Sequence, residues 1–353
     1  TYTKTEADLL FGDKTDKTTT AALDTRVQVL EGVRQFDTWE DLQTVLREGR
    51  IWRYLQVGDQ LMATYENVAK VWDVIGIDED TPANSAFTHS LTIQSRPLLG
   101  SGQFSAPQAI VGAIAEIPAG THVFTLNGIK YQVTTTLPIP INGVMYGSAW
   151  GDTYVPTKIT TYGADRQTVI ESNLDVTVSG LDVNVAVVND HVRCRYGSNL
   201  YFDSAIRQFL NSTDATFAWT PKGLFDMPSN YGAGGFLNRL DPELVAVLGS
   251  VEKKVARANY DGGGQDTFND KIFLLSRLEM GFGGEGVTTG EFVYPFWDGA
   301  SDADRIKGSP SYWWLRSPYV SNTTSSRVVY TSGVLYNGGS YSSNAISPAC
   351  VIV

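Results

Sequence analysis

Cysteine and histidine are scarce in this chain, and their scarcity excludes whole classes of chemistry. The two cysteines, Cys194 and Cys350, stand far apart without CxxC spacing, so the sequence encodes neither a disulfide framework nor a thiolate zinc site. The three histidines, His89, His122 and His191, fall in different segments, and each reads as a structural or surface residue. No serine sits in a Gly-x-Ser-x-Gly elbow. Gly262-Gly263-Gly264 lacks the lysine that follows in a phosphate loop, which makes it a turn. Only 18% of residues are charged, and the formal net charge is −11. Such a surface suits nucleic acid poorly, because phosphates require clustered Lys and Arg. The longest basic cluster, Lys253-Lys254 with Arg257, reads as a solvated helix face. No apolar run approaches the ~20 residues of a membrane-crossing helix, and no charged-then-apolar leader opens the chain, so membrane insertion and secretory targeting are not expected.

What is present falls into three textures. Residues 1–50 carry helix signals: Thr5-Glu6-Ala7-Asp8-Leu9-Leu10, residues 21–30, and residues 38–47, which open on a Thr cap with early acids. This segment is expected to be a helical attachment or oligomerisation piece. From Ile51 the pattern shifts to short strands, including residues 71–77 and 90–94. Asn127-Gly128 between two alternating runs is the strongest hairpin signal in the chain. Pro138, Pro140 and Pro156, with Gly143, Gly147 and Gly151, then break residues 99–185 into the short strands of a β-sandwich. After His191 come helical segments at residues 204–211 and 241–254, the second with Pro242 in its first turn, followed by Gly-rich loops. The fold class expected is α+β.

Three strings in the C-terminal region carry a resemblance: Arg195-Tyr196-Gly197-Ser198-Asn199 leading into residues 204–211, Asp270-Lys271-Ile272-Phe273-Leu274-Leu275-Ser276, and Tyr312-Trp313-Trp314-Leu315-Arg316-Ser317-Pro318. Together they resemble an uncharacterised domain family of gut bacteria and their phages, which looks like a C-type lectin fold of the formylglycine-generating-enzyme type. The likeness covers residues 193–353, and Trp72-Asp73-Val74-Ile75-Gly76 with His89-Ser90-Leu91-Thr92 extends it to residues 51–94. It implies a C-type-lectin-like domain with long loops, made of residues 51–98 and 186–353, interrupted by a β-sandwich insertion at 99–185.

Residues 319–344 are dominated by Tyr, Ser, Thr, Asn and Gly, with no Lys, Asp or Glu. This run is similar to the variable segment of proteins diversified by phage retroelements, where unfaithful copying of template adenines turns Asn codons into a restricted set of residues. The likeness implies a diversified ligand-binding surface at Thr324, Ser325, Val328, Tyr330, Tyr336, Asn337, Gly338, Gly339, Tyr341, Ser342 and Asn344. Its composition is that of antibody paratopes, in which Tyr supplies contact area at low entropic cost and Ser, Gly and Asn adapt. The same residues also make ordinary exposed turns. Trp313, Trp314, Leu315, Pro348, Ala349, Val351 and Ile352 should be the apolar frame, and Arg316 a paired structural arginine.

The resemblance carries a fold and a surface but no active site, because Cys194 and Cys350 do not match the cysteine arrangement of the formylglycine-generating enzymes. No catalytic residue, metal ligand or cofactor is therefore assigned. Asp241, Glu243, Glu279, Glu285 and Glu291 read as helix-start acids or loop charges. Asp261, Asp266 and Asp270 could hold calcium in loops, although no EF-hand spacing is present. The expected function is a non-enzymatic phage receptor-binding protein on a tail or fibre, acting outside the cell as a homotrimer on a host surface protein or glycan and contacting other virion proteins. The alternatives are a glycan depolymerase of a tail spike and a structural virion decoration protein.

Overall fold

The computed structural model describes residues 36–126, 128–147, 157–179, 193–194, 196–220, 222, 231, 234–286, 288–308 and 311–353. Among them are eighteen strands and four short helices, so the fold is β-rich and the α+β expectation is overturned. Most of the N-terminal helical segment, including the runs at 5–10 and 21–30, lies outside the described residues, as does Asn127. The described part is one helix, Trp39–Arg47, capped by Thr38, whose side chain accepts from the Asp41 amide. This helix buries Leu42 and Leu46, and its Gln43 Nε2 and Arg47 Nε donate to the Val353 carbonyl at 2.7 and 3.2 Å. It is therefore a buttress of the main core rather than an appendage.

The helix expected over 241–254 exists only at Pro242–Val247. Beyond it the chain turns into a strand, Val251–Ala256, which pairs with Gln265–Asp270 in register from Val251↔Asp270 to Ala256↔Gln265. Long-range pairing has overridden a correctly read helix start.

Strands distant in sequence share sheets. One five-stranded antiparallel sheet runs in the order Gln60–Tyr65, Val68–Ile77, Leu91–Ser95, Pro348–Ile352, Ile272–Leu274. A second orders Leu335–Gly339, Ser325–Val329, Trp313–Pro318, Ser343–Ala345 and Ser101–Gln103. The last of these lies inside the stretch read as insertion, yet it pairs with Asn344 and its neighbours. Strand alternation splits adjacent residues between two cores. Trp314, Val328 and Cys350 join Trp72 and Ile93, whereas Trp313, Leu315 and Val351 join Phe273 and Trp297. Strands buried on both faces read as continuous apolar runs, which is why the Trp-Trp-Leu and Ala-Cys-Val-Ile strings stand out.

The described strands between Val111 and Ser179 form one six-stranded antiparallel sheet rather than two facing sheets, with its own core around Ile129, Tyr131, Val133, Met145 and Ile159. Its hairpin pairs Gly120–Leu126 with Ile129–Thr135. The long strand Val169–Ser179 pairs first with Lys158–Tyr162, with two register shifts, and then with Ile129–Thr135. Bulges of this kind bend a strand.

A buried ionic network ties these parts together. All five N–H donors of the fully buried Arg316 are used: Nε to the Lys254 carbonyl at 2.8 Å, Nη1 to the Leu274 carbonyl at 2.9 Å and to Glu279, and Nη2 to Glu279 Oε1 at 2.8 Å and Glu291 Oε1 at 2.7 Å. The paired structural role expected of Arg316 is the one observed. Lys253, expected on a solvated helix face, is instead 3% exposed. Its ammonium donates to Asp80, to Glu279 Oε1 at 3.0 Å and to the Tyr294 hydroxyl at 2.7 Å. The Tyr294 hydroxyl in turn donates a hydrogen bond to Asp80 Oδ2 at 2.6 Å. Glu279 and Glu291, read from sequence as helix-start or loop charges, are thus components of a buried cluster.

Burial alone would raise the Glu279 carboxyl, but Arg316 and then Lys253 outweigh it and hold it down to about 2. The stability this group confers is complete above the ordinary 4.5 and is lost as pH falls through about 2. Removing one member leaves the others buried without compensation, so Glu279→Ala should cost about 3–5 kcal/mol. Chemical denaturation at pH 7 measures it, and a loss below about 1 kcal/mol would show the network to be dispensable.

Candidate functional site

The Tyr-rich stretch folds into two paired strands of the second sheet and the start of a third, Ser343–Ala345, with loops between them. Ser325–Val329 pairs with Leu335–Gly339, setting Val328 opposite Tyr336 and Arg327 opposite Asn337. This register separates the eleven candidate residues. Val328 is fully buried against Trp314, and Thr324 is 5% exposed, so neither offers its side chain to a ligand. Gly338 and Gly339 are positions of close approach. A Cβ on Gly338 would come within 2.9 Å of both Trp314 and Val328 and 2.8 Å of Asn344 Nδ2, and one on Gly339 within 2.7 Å of the Tyr341 ring.

Tyr336 is the most open of the eleven, at 56% exposure. Its ring lies 5.5 Å from that of Tyr330, which makes an edge contact at 4.6 Å with Tyr312. A hydrogen bond between Tyr312 and Tyr330 raises the Tyr312 phenol and favours its neutral form. Three aromatic faces with phenolic hydroxyls therefore share one edge, suited to stacking and hydrogen bonding. Val334 is exposed nearby in sequence, on the turn between the two strands.

Tyr341 and Ser342 lie in a separate, pinned loop. The Tyr341 amide donates to the Tyr196 carbonyl at 3.0 Å, its carbonyl accepts from Gln103 Nε2 at 2.8 Å, and the Tyr196 and Tyr341 rings are 5.4 Å apart. The preceding Ser340 amide donates to the Thr324 carbonyl at 2.7 Å, and the Ser342 amide to that of Gly339 at 2.8 Å. The Tyr-Gly-Ser-Asn string acquires a physical reason here. Asn199 Nδ2 donates to the carbonyls of Asn322 and Ser325, both at 2.9 Å, and holds the 319–325 loop. Gly197 takes φ +75°, and a Cβ there would meet the Ser105 carbonyl at 2.4 Å.

Asn337 and Ser325 share the opposite face with Arg327, the only charged residue of the 319–344 run. Arg327 donates to Asn337 Oδ1 and to Glu285, lies 4.5 Å over the Tyr319 ring, and shares Glu285 with Arg277. Burial opposes ionisation of Glu285, but its bonds from Arg327 and Arg277 hold the carboxyl below the usual range. Sequence reasoning missed Tyr196, Gln103, Tyr312 and the Arg327–Glu285–Arg277 group. A lone arginine in an uncharged run was the available signal, since a partly buried charge demands a partner.

The loop acids considered for calcium are engaged by arginines: Asp261 by Arg193, Asp266 by Arg257 at 3.6 Å, and Asp270 by Arg207 through two bonds of 2.8 and 2.9 Å. No group of three potential metal ligands occurs among the described residues. Asp241 caps its helix and bonds the Thr64 amide. Glu243 occupies the first turn of the same helix.

A family model described as a domain of unknown function, DUF6273, matches residues 178–353. That stretch contains Arg316, Lys253 and their network partners apart from Asp80, together with the tyrosine edge and the pinned loop. No curated protein and no solved structure matches the chain significantly.

The register makes a two-sided prediction. Val328→Ala should destabilise the protein by about 1–3 kcal/mol through the cavity it leaves beside Trp314, whereas Tyr336→Ala should change stability by less than about 0.5 kcal/mol. Thermal unfolding of both variants tests the difference in burial between the two positions, and the reverse ranking would refute it.

Proposed function

We propose that the protein is a phage host-recognition protein whose ligand contacts are made by the tyrosine edge, with Tyr336, Tyr330 and Tyr312 as anchors. The observation that carries this reading is the exposure of Tyr336, on the edge strand of a sheet whose central strand Trp313–Pro318 is buried along its whole length, beside two further tyrosines. Aromatic anchors on a rigid frame are what a recognition surface needs, since they lose little conformational entropy on binding. The similarity of residues 319–344 to retroelement-diversified segments supports the same reading. It confines productive variation to the open positions, because Val328, Gly338 and Gly339 have no room for new side chains.

On this proposal the protein acts on the virion surface, at a tail or fibre, against a host surface protein or glycan. A homotrimer would multiply a modest single-site affinity by ~10²–10⁴ without new contacts. The depolymerase reading finds less support. Glu279 and Glu285 are both held below the usual carboxylate range, opposite to the raised pKa of a glycosidic general acid, and Glu291 is bound to Arg316. For the decoration reading, no observation favours burial of Tyr336 against a neighbour.

Binding to intact host cells by fluorescently labelled protein provides the test. Tyr336→Ala should weaken binding by roughly 1–3 kcal/mol, about five- to 150-fold, while the fold is retained. Unchanged binding by that variant would remove the tyrosine edge from the interface, and oligosaccharide released from host envelope polysaccharide would overturn the binding-only reading.

A further inference from the structure

Two lysines among the described residues are buried, and their environments are opposite. Lys253 spends its three donors on two carboxylates and a phenol, as described above. Lys307, 7% exposed, has one acceptor among the described residues, the Ser95 carbonyl at 2.7 Å. The rings of Trp297 and Trp313 lie 5.6 Å from its nitrogen. Lys307 lines a cleft of about 1060 Å³ between the Val68–Ile77 strand with Arg96 and the loops around 296–308. None of the tyrosines of the proposed recognition edge lines it.

A buried ammonium ordinarily has a carboxylate or a full set of acceptors, since desolvating it uncompensated is expensive. The charged groups facing this cleft are Lys70, Arg96, Asp73, Asp298 and Asp304. Asp73 is bound by Arg96 at 2.8 Å, and Asp304 by the Ser301 amide and hydroxyl at 2.8 and 2.6 Å. Asp298 is exposed. Burial above all pushes the Lys307 amine down to about 7, with Asp73 opposing and Arg96 adding to the shift. Phe296 and Trp297 supply an apolar wall beside the amine. Concave shape, an aromatic wall and a few convergent polar groups define a small-molecule site.

We propose that this cleft binds a small ring-bearing carboxylate, whose anionic group takes the unspent donors of Lys307 while its ring lies against Phe296 and Trp297. The inference is independent of the tyrosine edge. The ligand supplies the buried counter-ion that the chain itself provides for Lys253 and not for Lys307. Binding then draws a proton onto the amine above pH 7, and affinity falls about tenfold per pH unit in that range. In the unliganded protein the sign is fixed by the same group. Its folded pKa lies below the unfolded 10.5, so the unfolded state holds more protons between about 7 and 10.5 and stability rises with pH across that window.

Calorimetric titration of the full chain with benzoate and with D-glucuronate, and with their neutral counterparts benzyl alcohol and glucose, separates an aromatic acid from an acidic sugar as the source of the carboxylate. At least one acid should bind at pH 6.5, its neutral counterpart should not, and Lys307→Met should abolish the binding. A second measurement needs no variant. In the wild-type protein, mass spectrometry should find reductive methylation of Lys307 at pH 7.5 slowed by the acid that binds and not by its neutral counterpart. Failure of both acids to bind, equal binding of a neutral counterpart, binding retained by Lys307→Met, or methylation of Lys307 unaffected by a bound acid would each overturn the proposal. Cell binding by the tyrosine edge can succeed or fail separately from all of these.

Discussion

Arg316 is the residue on which the rest of the C-terminal architecture depends. It sits in the middle of Trp313–Pro318 with one tryptophan facing each of two cores, and its guanidinium reaches carbonyls and carboxylates from three other segments. An apolar residue there could fill space but could not dictate which loop lies against which strand. A planar donor fork with five fixed directions can. Buried ion pairs contribute little net stability compared with well-packed apolar replacements. In this molecule the value of the cluster lies in specifying one arrangement of the 276–294 loop, which carries Glu279, Glu291 and Tyr294 and otherwise has few regular elements.

The same separation between specifying and stabilising appears at the tyrosine edge. Ser340, Tyr341 and Ser342 are held through their backbone groups, so the loop's path does not depend on which side chains it carries. Asn199 likewise grips carbonyls and leaves side chains out of the contact. A surface whose residues change while its backbone stays put requires this kind of support, because side-chain-mediated loops lose their shape with each substitution. The glycines set the opposite limit: at Gly338 and Gly339 the backbone approaches Trp314 and Tyr341 so closely that the frame itself constrains variation.

How much of this was legible in the sequence depends on the range of the interaction. The hairpin at 120–135 and the apolar frame residues Trp313, Trp314, Leu315, Pro348, Ala349, Val351 and Ile352, all buried, follow from local alternation and continuous apolar runs. The Asp241-Pro242 helix start was readable, but its end was not. The strand at Val251 is imposed by pairing with residues that follow a turn, and Lys253-Lys254 in that strand looks like a helix surface until Asp80 and Glu279 arrive from elsewhere. The α+β expectation failed for the same reason: helix starts are written locally, whereas strands gain their partners through contacts as remote as Leu91↔Ile352. Composition identified the Tyr-rich stretch as a surface candidate. Only the register could show that Val328 turns inward while Tyr336, directly opposite on the neighbouring edge strand, is exposed.

Two neighbouring strand residues can share a face and still differ in exposure because the sheet ends there. Val328 has Trp314 on one side and Leu335–Gly339 on the other, so both lateral approaches are covered. Tyr336 belongs to the last strand, and its uncovered side faces no further strand of that sheet. An exposed edge strand invites pairing with another chain, and this one is short and ends in two glycines. Its aromatic side chains, rather than its backbone, are therefore the larger contact surface it offers. The edge that limits the sheet is thus also what makes its tyrosines available, and the buried ionic cluster, which none of these tyrosines joins, can hold the fold while that edge changes.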